Sequence, residues 1–317
     1  MKTERVFVGA HIPSGTRANM LQTLQGALPQ DLGRLRLISP LQWHLTLVSP
    51  RKLDPEQVAN WPKRLGVITP AFKPFYLPLT RLVAAPPNQA PSMLWFMGPQ
   101  NRNFSELAKM LAQALGNKFQ ERSLLPHITV ARAQGLTATL QSINVSGTWQ
   151  IPLDTLTVFA SQLNQVGALH TPLIQMPLGK SWGNQPRSHT ADVAIKSFGT
   201  SLETLFIAAL QGLAQLLSDK ASEQNIHGKR VTEVINLTAT DRAALLVDFL
   251  SEVLTRSVIK RAVFSCVQFV ELTGTKLQAQ ITGVGKKFDN DVKAVTYHAA
   301  KISQKKGALS VTITYDV

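Results

Sequence analysis

A four-residue pattern that occurs twice constrains the fold of this chain more than any other feature. The two copies are His44-Leu45-Thr46-Leu47 and His127-Ile128-Thr129-Val130. Because successive side chains of a β-strand point to opposite faces, each copy predicts a strand with histidine and threonine on one face and its apolar pair in a core. One such pattern can arise by chance, whereas two in strand register indicate two strands that face one shared cleft.

Two imidazoles and two hydroxyls around one cleft suit metal-free phosphoryl chemistry. One of His44 and His127 can act as a base and the other as an acid. The hydroxyls of Thr46 and Thr129 can hold phosphoryl oxygens. For either histidine alone, the alternative is a strand residue satisfied by hydrogen bonds. The pair favours the interpretation of His44 and His127 as catalytic residues.

The length of 317 residues is large for one hydrophobic core and predicts two domains. Residues 178–187 contain two glycines and a proline and predict a linker. We therefore expect a first domain over residues 1–177 and a second over residues 188–317. Each half of the first domain runs from strands through a helix to a motif strand. The fold class is thus α+β, with a duplicated unit whose two antiparallel sheets form a central cleft, plus a separate smaller α+β domain.

Hydrophobic periodicity predicts the main elements of both domains. Apolar residues at helical spacing predict helices over residues 104–115, 201–217 and 240–255. In the second domain, turn residues between apolar runs predict strands over residues 258–272, 276–284, 292–303 and 309–317.

Positive charge is concentrated in the first domain. The formal net charge of the chain is +14, and residues 1–180 carry 17 Lys and Arg against 7 Asp and Glu. A basic domain around a histidine cleft favours a polyanion, and nucleic acid is the first candidate. On charge alone, a protein that is simply basic, or one that touches acidic lipid, is an equal alternative.

Composition argues against several classes of protein. No run of eighteen uncharged apolar residues is present, so we expect no transmembrane helix. Residues 1–13 lack the apolar core of a secretory signal. The one cysteine, Cys266, lies in an apolar run, which predicts a buried thiol and no disulfide within the chain. These observations indicate a cytoplasmic protein with no membrane contact.

The first domain resembles the 2H phosphoesterase superfamily over about residues 4–177, and within it the RNA 2',3'-cyclic phosphodiesterases, also called 2'-5' RNA ligases. The resemblance rests on four segments: Arg5-Val6-Phe7-Val8, Trp43-His44-Leu45-Thr46-Leu47, Met93-Leu94-Trp95-Phe96 and Pro126-His127-Ile128-Thr129-Val130-Ala131-Arg132. It implies hydrolysis of an RNA 2',3'-cyclic phosphate to a 2'-phosphate, with no metal or cofactor. Members usually follow the first motif with a Phe-Leu-Gly-type sequence, where this chain has Val48-Ser49-Pro50.

The resemblance also implies a role for each motif residue. His127 activates the attacking water as the base, and His44 protonates the departing 3'-oxygen as the acid, although the pair can in principle run either way. Thr46 and Thr129 hold the non-bridging oxygens. Arg132 reaches the phosphate or the RNA backbone, with a solvated surface arginine as the alternative.

The second domain resembles archease, the protein cofactor of the RtcB-type RNA-splicing ligase, over about residues 186–317. The segments that carry this resemblance are His189-Thr190-Ala191-Asp192, residues 199–217, Lys293-Ala294-Val295-Thr296-Tyr297-His298 and Tyr315-Asp316-Val317. The family binds a divalent ion through acidic groups, which map onto Asp192, Asp316 and the terminal carboxylate of Val317. Ligands that are all oxygen favour Ca²⁺ or Mg²⁺. Archeases are commonly acidic, whereas residues 181–317 carry a net charge of +4.

Together the two resemblances indicate a protein that processes RNA ends of the kind made in tRNA splicing. Its expected partners are RNA with a 2',3'-cyclic phosphate terminus and an RtcB-type RNA ligase. One alternative is a non-catalytic adaptor that holds the RNA end for the ligase. Another is a 2H enzyme that hydrolyses a small cyclic nucleotide.

Overall fold

The computed structural model describes residues 3–317 apart from 29–34, 87–89, 117–123, 134–142, 166, 188–192, 219–227, 286–291 and 298–299. The described residues build two hydrophobic cores. The first extends along the chain from Val6 to Leu178, and the second from Trp182 to Tyr315.

Among the described residues, the first core lies between nine strands and four helices. The strands are β1 (Glu4–His11), β2 (Leu35–Leu37), β3 (His44–Leu53), β4 (Phe75–Ala85), β5 (Met93–Met97), β6 (His127–Ala133), β7 (Asn144–Leu153), β8 (Thr155–Asn164) and β9 (Gly167–Pro177). The helices are α1 (Ser14–Ala27), α2 (Pro55–Ala59), α3 (Trp61–Ile68) and α4 (Arg102–Ala114), with 3₁₀ turns at Pro40–Gln42 and Thr69–Ala71.

These strands form two antiparallel sheets, and each sheet contains one motif strand. The four-stranded sheet has the order β3-β1-β8-β9, and the five-stranded sheet has the order β2-β6-β5-β4-β7. In both motif strands the apolar residues are buried, while the histidine and threonine are half-buried on the opposite face. The strand alternation that the sequence predicts is confirmed.

Two helices join the sheets into one core. Helix α1 follows β1 of the four-stranded sheet but packs against β7 of the five-stranded sheet. Helix α4 follows β5 of the five-stranded sheet but packs against β3. The Asn101 side chain caps α4 by accepting a hydrogen bond from Phe104 N at 3.0 Å. This exchange of helices fixes the two motif strands relative to each other.

In the part of the second domain that the structure describes, two further antiparallel sheets and two helices cover the core. The strands are β10 (Trp182–Arg187), β11 (Val193–Gly199), β12 (Arg230–Thr238), β13 (Ala262–Leu272), β14 (Lys276–Gly285), β15 (Ala294–Thr296), β16 (Ser303–Lys305) and β17 (Ala308–Asp316). One sheet has the order β10-β11-β17-β15, with β16 also paired to β17, and the other has the order β12-β14-β13. Helix α5 (Leu202–Leu217) packs against both sheets, and α6 (Arg242–Lys260) packs against β12, β13 and β15. The α+β class is confirmed for both domains.

The segment 178–187 is not an irregular linker throughout. Its residues 182–187 form β10, which pairs along its whole length with β11. Pro186 is tolerated there because β10 is an edge strand, where one side makes no ladder. Leu178 is buried in the first core and Trp182 in the second, so only residues 179–181 lie between the two cores along the chain.

Two strands that the sequence predicts in the second domain are wrong in part. Residues 258–260 continue α6, which ends where Arg261 adopts a left-handed conformation (φ 47°). The β-branched pair Val258 and Ile259 suggests a strand, but these side chains are exposed on the last turn of an amphipathic helix. Among the described residues of 292–303, only β15 at 294–296 and the first residue of β16 at 303 are in strands, and these two strands pair with separate parts of β17.

Two predictions from composition can be compared with the fold. Cys266 is 1% exposed, and burial raises the pKa of its thiol to about 12, which makes it an inert core residue. Within the part of the chain that the structure describes, no helix combines the length and apolarity needed to cross a membrane.

Candidate active site

A cavity of about 880 Å³ opens between the two sheets of the first domain. His44 and Thr46 of β3 and His127 and Thr129 of β6 all line it. Arg132, at the far end of β6, lines the same cavity. The structure therefore brings together the five residues that the sequence singles out in this domain.

Each histidine is oriented by the same local contact. His44 Nδ1 lies 2.7 Å from the carbonyl oxygen of Gln42, and His127 Nδ1 lies 2.9 Å from that of Leu125. A carbonyl oxygen can only accept, so Nδ1 carries the proton in both rings. This tautomer leaves each Nε2 with the lone pair that a general base needs.

The surroundings of the two rings differ. His127 stacks on Trp95, with ring centroids 3.9 Å apart and planes at 22°. His44 lies 4.8 Å from Phe7 and meets His170 edge-on at 4.8 Å. An indole face stabilises a cation above it, so the Trp95 contact favours an imidazolium at His127.

Burial controls the protonation of both histidines. It lowers the pKa of His44 to about 4, against the opposing effect of the Gln42 carbonyl and with a further lowering by His127. It also lowers the pKa of His127, against the Leu125 carbonyl. Both rings are therefore neutral at pH 7 in the free protein, and an anion bound between them would favour their protonation.

Three arginines supply positive charge at the cavity: Arg5, Arg36 and Arg132 all line it. Arg36 and Arg132 are direct cross-strand partners on β2 and β6. Like charges in that position are destabilising, and an anion between them relieves the repulsion. Gly167, at φ 131°, allows Arg36 to approach, because a Cβ there would lie 2.9 Å from a guanidinium nitrogen.

His170 of β9 is a site residue that the sequence does not reveal. Its main-chain N donates to Gln42 Oε1 at 2.6 Å, and its ring contacts Phe7 and His44. Burial and the nearby charges of His44, Arg5 and Arg132 lower the pKa of His170 to about 4. No H-x-T pattern marks this histidine, so it can be identified as a site residue only from the pairing of β8 with β9.

The structure describes only part of the predicted cation site of the second domain. Asp192 lies outside the described residues, while Asp316 is exposed at the end of β17. The main-chain oxygen of Val317 accepts a hydrogen bond from Lys293 Nζ at 3.1 Å. Among the described residues, no three His, Cys, Asp or Glu side chains are grouped as metal ligands. Asp316 and Val317 offer oxygen donors, but without Asp192 they do not make up the predicted ligand set. The Val317 oxygen also lies beside the Lys293 ammonium group.

Two family models match this chain in separate regions. The LigT like Phosphoesterase model matches residues 12–95, and the Archease protein family model matches residues 185–317. The first match includes the motif at His44 but ends before the motif at His127, so it is the fold that brings the second motif into the site.

Known proteins resemble each region. "Protein archease" of Pyrococcus abyssi is 34% identical over 126 residues, which are 37% of this chain and 84% of that protein. The protein of the same name from Methanosarcina mazei is 28% identical over 138 residues, or 41% and 92%. Apo LigT of E. coli has a TM-score of 0.45 and 21% identity, covering 57% of this chain and all of LigT. A protein of Thermus thermophilus has a TM-score of 0.47 and 21% identity, covering 55% and 97%.

The first domain is similar to the LigT-like phosphoesterases through residues 12–95, and its described residues add a two-sheet fold that carries the paired motif. The chain as a whole joins this domain to a second one of a different kind. Through residues 185–317 the chain belongs to the archease family.

Proposed function

We propose that the first domain hydrolyses RNA 2',3'-cyclic phosphate ends to 2'-phosphates without a metal. The observation that carries the proposal is the placement of His44 and His127, each with its Nδ1 bound to a carbonyl, in the wall of one cavity lined by three arginines. An imidazole with a free Nε2 supplies the base, an imidazole protonated at Nε2 supplies the acid, and the arginines neutralise the phosphate.

In the proposed reaction, His127 Nε2 takes a proton from water as its oxygen bonds to phosphorus. The P–O3' bond breaks, and the 3'-oxygen takes the Nε2 proton of His44, which is in the imidazolium form when the anionic substrate is bound. Trp95 supports this assignment, because its face stabilises the imidazolium that forms on His127.

The substrate is proposed to be RNA because of the size and charge of the cavity. A volume of about 880 Å³ is near the upper end for a small-molecule pocket. Positive charge extends beyond the two histidines to Arg5 and Arg36, which a lone cyclic nucleotide does not require. Steep loss of activity with added salt would support RNA, and a flat response would support the small nucleotide.

A non-catalytic adaptor that only holds an RNA end is the second candidate from a different class. The arginines alone would serve that purpose, because holding an RNA end requires no group that exchanges a proton with it. The proposal of an enzyme therefore rests on the two histidines, because the tautomer that they share provides a general base, which binding an RNA end does not require.

The experiment is incubation of the full protein with an RNA that ends in a 2',3'-cyclic phosphate, with and without EDTA. We expect a 2'-phosphate product in both, and loss of product in His44→Ala and His127→Ala. Lys109→Ala, which removes an exposed cation on α4 away from the cavity, is the control and should retain activity. A 3'-phosphate product would contradict the leaving-group assignment, and inhibition by EDTA would contradict the metal-free mechanism.

For the second domain, we propose that it activates an RNA-splicing ligase of the RtcB type and that Asp192, Asp316 and Val317 bind Ca²⁺ or Mg²⁺. Membership of the archease family supports the first part. The exposed oxygen donors at the end of β17 support the second. Calorimetry with Ca²⁺ should show binding that Asp316→Asn abolishes, and equal binding by both proteins would refute the cation site.

The two proposed activities meet at one substrate, because the ligase consumes the cyclic phosphate ends that the hydrolase removes. We propose that the fusion adjusts which broken ends are repaired. Joined product should therefore differ between ligase reactions that contain the intact protein and those that contain the His44→Ala/His127→Ala protein. Equal yields of joined product in the two reactions would refute this proposal.

A further inference from the structure

The two domains are in contact along β13. One side chain of this strand extends into the first domain, next to segments that support the candidate active site. Gln268 is 4% exposed, and its Nε2 donates to the carbonyl oxygen of Leu41 at 3.1 Å. The same Nε2 lies 3.3 Å from His11 Nδ1. Gln268 therefore contacts two segments of the first domain from within the second.

Leu41 lies in the 3₁₀ turn Pro40–Gln42, which orients two histidines of the cavity. The carbonyl of Gln42 holds His44 Nδ1 at 2.7 Å. The side chain of Gln42 binds the main chain of His170 at both ends: Oε1 accepts from His170 N at 2.6 Å, and Nε2 donates to His170 O at 3.4 Å. Any tilt of this turn would move the acceptor of His44 and the support of His170 together.

The second contact of Gln268 leads to His44 by another route. His11 of β1 is the direct cross-strand partner of His44 on β3. The ring of His11 packs edge-on against Phe159 at 4.7 Å, and Phe159 lies 5.7 Å from His44. His11 and the Leu41 turn thus flank the base of the His44 strand, and one amide holds both.

The strand that carries Gln268 is fixed to the first domain on either side of it. Val267 exchanges two hydrogen bonds of 2.9 Å with the side chain of Gln175 on β9. The guanidinium of Arg17 on α1 donates to the carbonyls of Phe269 and Val270. These contacts fix the position of Gln268 when the two domains are docked, so its amide has little freedom to move.

We propose that Gln268 of the archease domain is a positioning residue for His44, acting through the Pro40–Gln42 turn. The amide donor holds the Leu41 carbonyl, the turn then presents the Gln42 carbonyl to Nδ1, and the ring keeps the tautomer and orientation that the phosphoesterase needs. The kinetic consequence of this inference rests on the proposed function, but the effect on the His44 ring does not.

A positioning role differs from a merely structural one in its effect on the His44 titration. The Gln42 carbonyl raises the pKa of His44, so a displaced turn should lower that pKa further. The other titratable groups that act on this ring are His11, His127 and His170, and all three are retained when Gln268 is replaced. Loss of stability alone would leave the midpoint of His44 where it is.

The test uses the full chain with Gln268→Met, which keeps the length of the side chain and removes the amide. Gln268→Asn is the second variant, because its shorter amide falls short of Leu41. Gln211→Met is the matched control: Gln211 also donates across the interface, but to Gln175 O on β9 at 2.8 Å and not to the turn. The readouts are the His44 midpoint from ¹⁵N-edited NMR, the unfolding midpoint, and kcat and KM on RNA with a cyclic phosphate end.

We expect both Gln268 variants to lower the His44 midpoint and to reduce kcat about tenfold with little change in KM, while Gln211→Met leaves both unchanged. An unchanged His44 midpoint in both Gln268 variants would overturn the inference, even if their stability falls. If the wild-type protein does not hydrolyse the RNA, the proposed function fails, and the NMR titration still decides the role of Gln268.

Discussion

At the scale of single residues, the two motif histidines are alike in their hydrogen bonds and unlike in their neighbours. Both donate Nδ1–H to a carbonyl two residues earlier in the chain. Trp95 stacks on His127, whereas one imidazole and two phenyl rings lie beside His44. This difference is the physical basis for giving the two rings different roles, which a sulfur-substituted substrate can test.

A substrate with sulfur in place of the 3'-oxygen distinguishes the acid from the base. A thiolate leaves without needing a proton, so the loss of a general acid matters little for that substrate. We expect His44→Ala to regain most of its rate on the 3'-thio substrate relative to the 3'-oxygen substrate. His127→Ala should remain inactive on both, as measured by release of the thiol. Rescue of His127→Ala in its place would show that the roles are exchanged.

The pH dependence of kcat/KM should report the lowered pKa values of the pair. Burial lowers the pKa of His44 to about 4 and lowers that of His127 from 6.5. The productive form has one neutral and one protonated ring, so activity falls when both are neutral and when both are protonated. We expect a bell-shaped profile with both limbs below pH 6.5 in rates measured at low substrate concentration. A plateau that extends unchanged above about pH 8 would contradict this.

The sequence predicts some of these residues and misses others for a clear reason. His44, Thr46, His127 and Thr129 stand in a strand alternation that can be seen in the sequence itself. His170 joins the site only because β9 pairs with β8 in a register that no local pattern reveals.

At the scale of secondary-structure elements, β2 and β6 place Arg36 directly opposite Arg132 at the cavity. The pairing of β2 with β6 is not predictable from the sequence, because β2 has only three residues, which is too short for its pattern to identify a strand. The same limit applies to β10 and to the last turn of α6, where an edge strand and a helix end are decided by packing and not by propensity.

This cross-strand pair predicts stabilisation by anions. Inorganic phosphate that binds between the guanidinium groups should raise the unfolding midpoint of the wild-type protein. Arg132→Ala should reduce this rise markedly in thermal unfolding at increasing phosphate concentration, while Lys109→Ala should leave it intact. An equal response of Arg132→Ala and wild type would mean that Arg132 does not take part in anion binding.

At the scale of the whole molecule, the two cores are joined by buried polar contacts and not by a free linker. Trp182 Nε1 donates to Thr155 Oγ1 at 2.9 Å, and Glu203 Oε1 accepts from the N and Oγ of Ser14 at 2.7 and 2.6 Å. Arg230 forms an ion pair with Glu4 at the start of β1. The sequence predicts two domains with a linker, but contacts between residues about 189 to 226 positions apart leave no periodic trace in it.

The interface should make stability depend on pH through Asp154. Burial and the charge of Glu203 raise the pKa of Asp154 from 3.8 to about 6. Because the pKa of Asp154 is higher in the folded state, its contribution to the free energy of unfolding is complete below pH 3.8. This contribution is lost as the pH rises through about 6. Asp154→Asn should therefore raise the unfolding midpoint at pH 7 relative to wild type, and the difference should shrink at about pH 4. An equal difference at both pH values would contradict a titration at this site.

The most direct test of metal-free hydrolysis by the two histidines is the reaction of an RNA 2',3'-cyclic phosphate in H₂¹⁸O with EDTA present. We expect a 2'-phosphate that carries one ¹⁸O atom, formed by the wild-type protein and not by His44→Ala or His127→Ala. Unchanged cyclic phosphate with the wild-type protein, or product formation that survives the loss of both histidines, would contradict it.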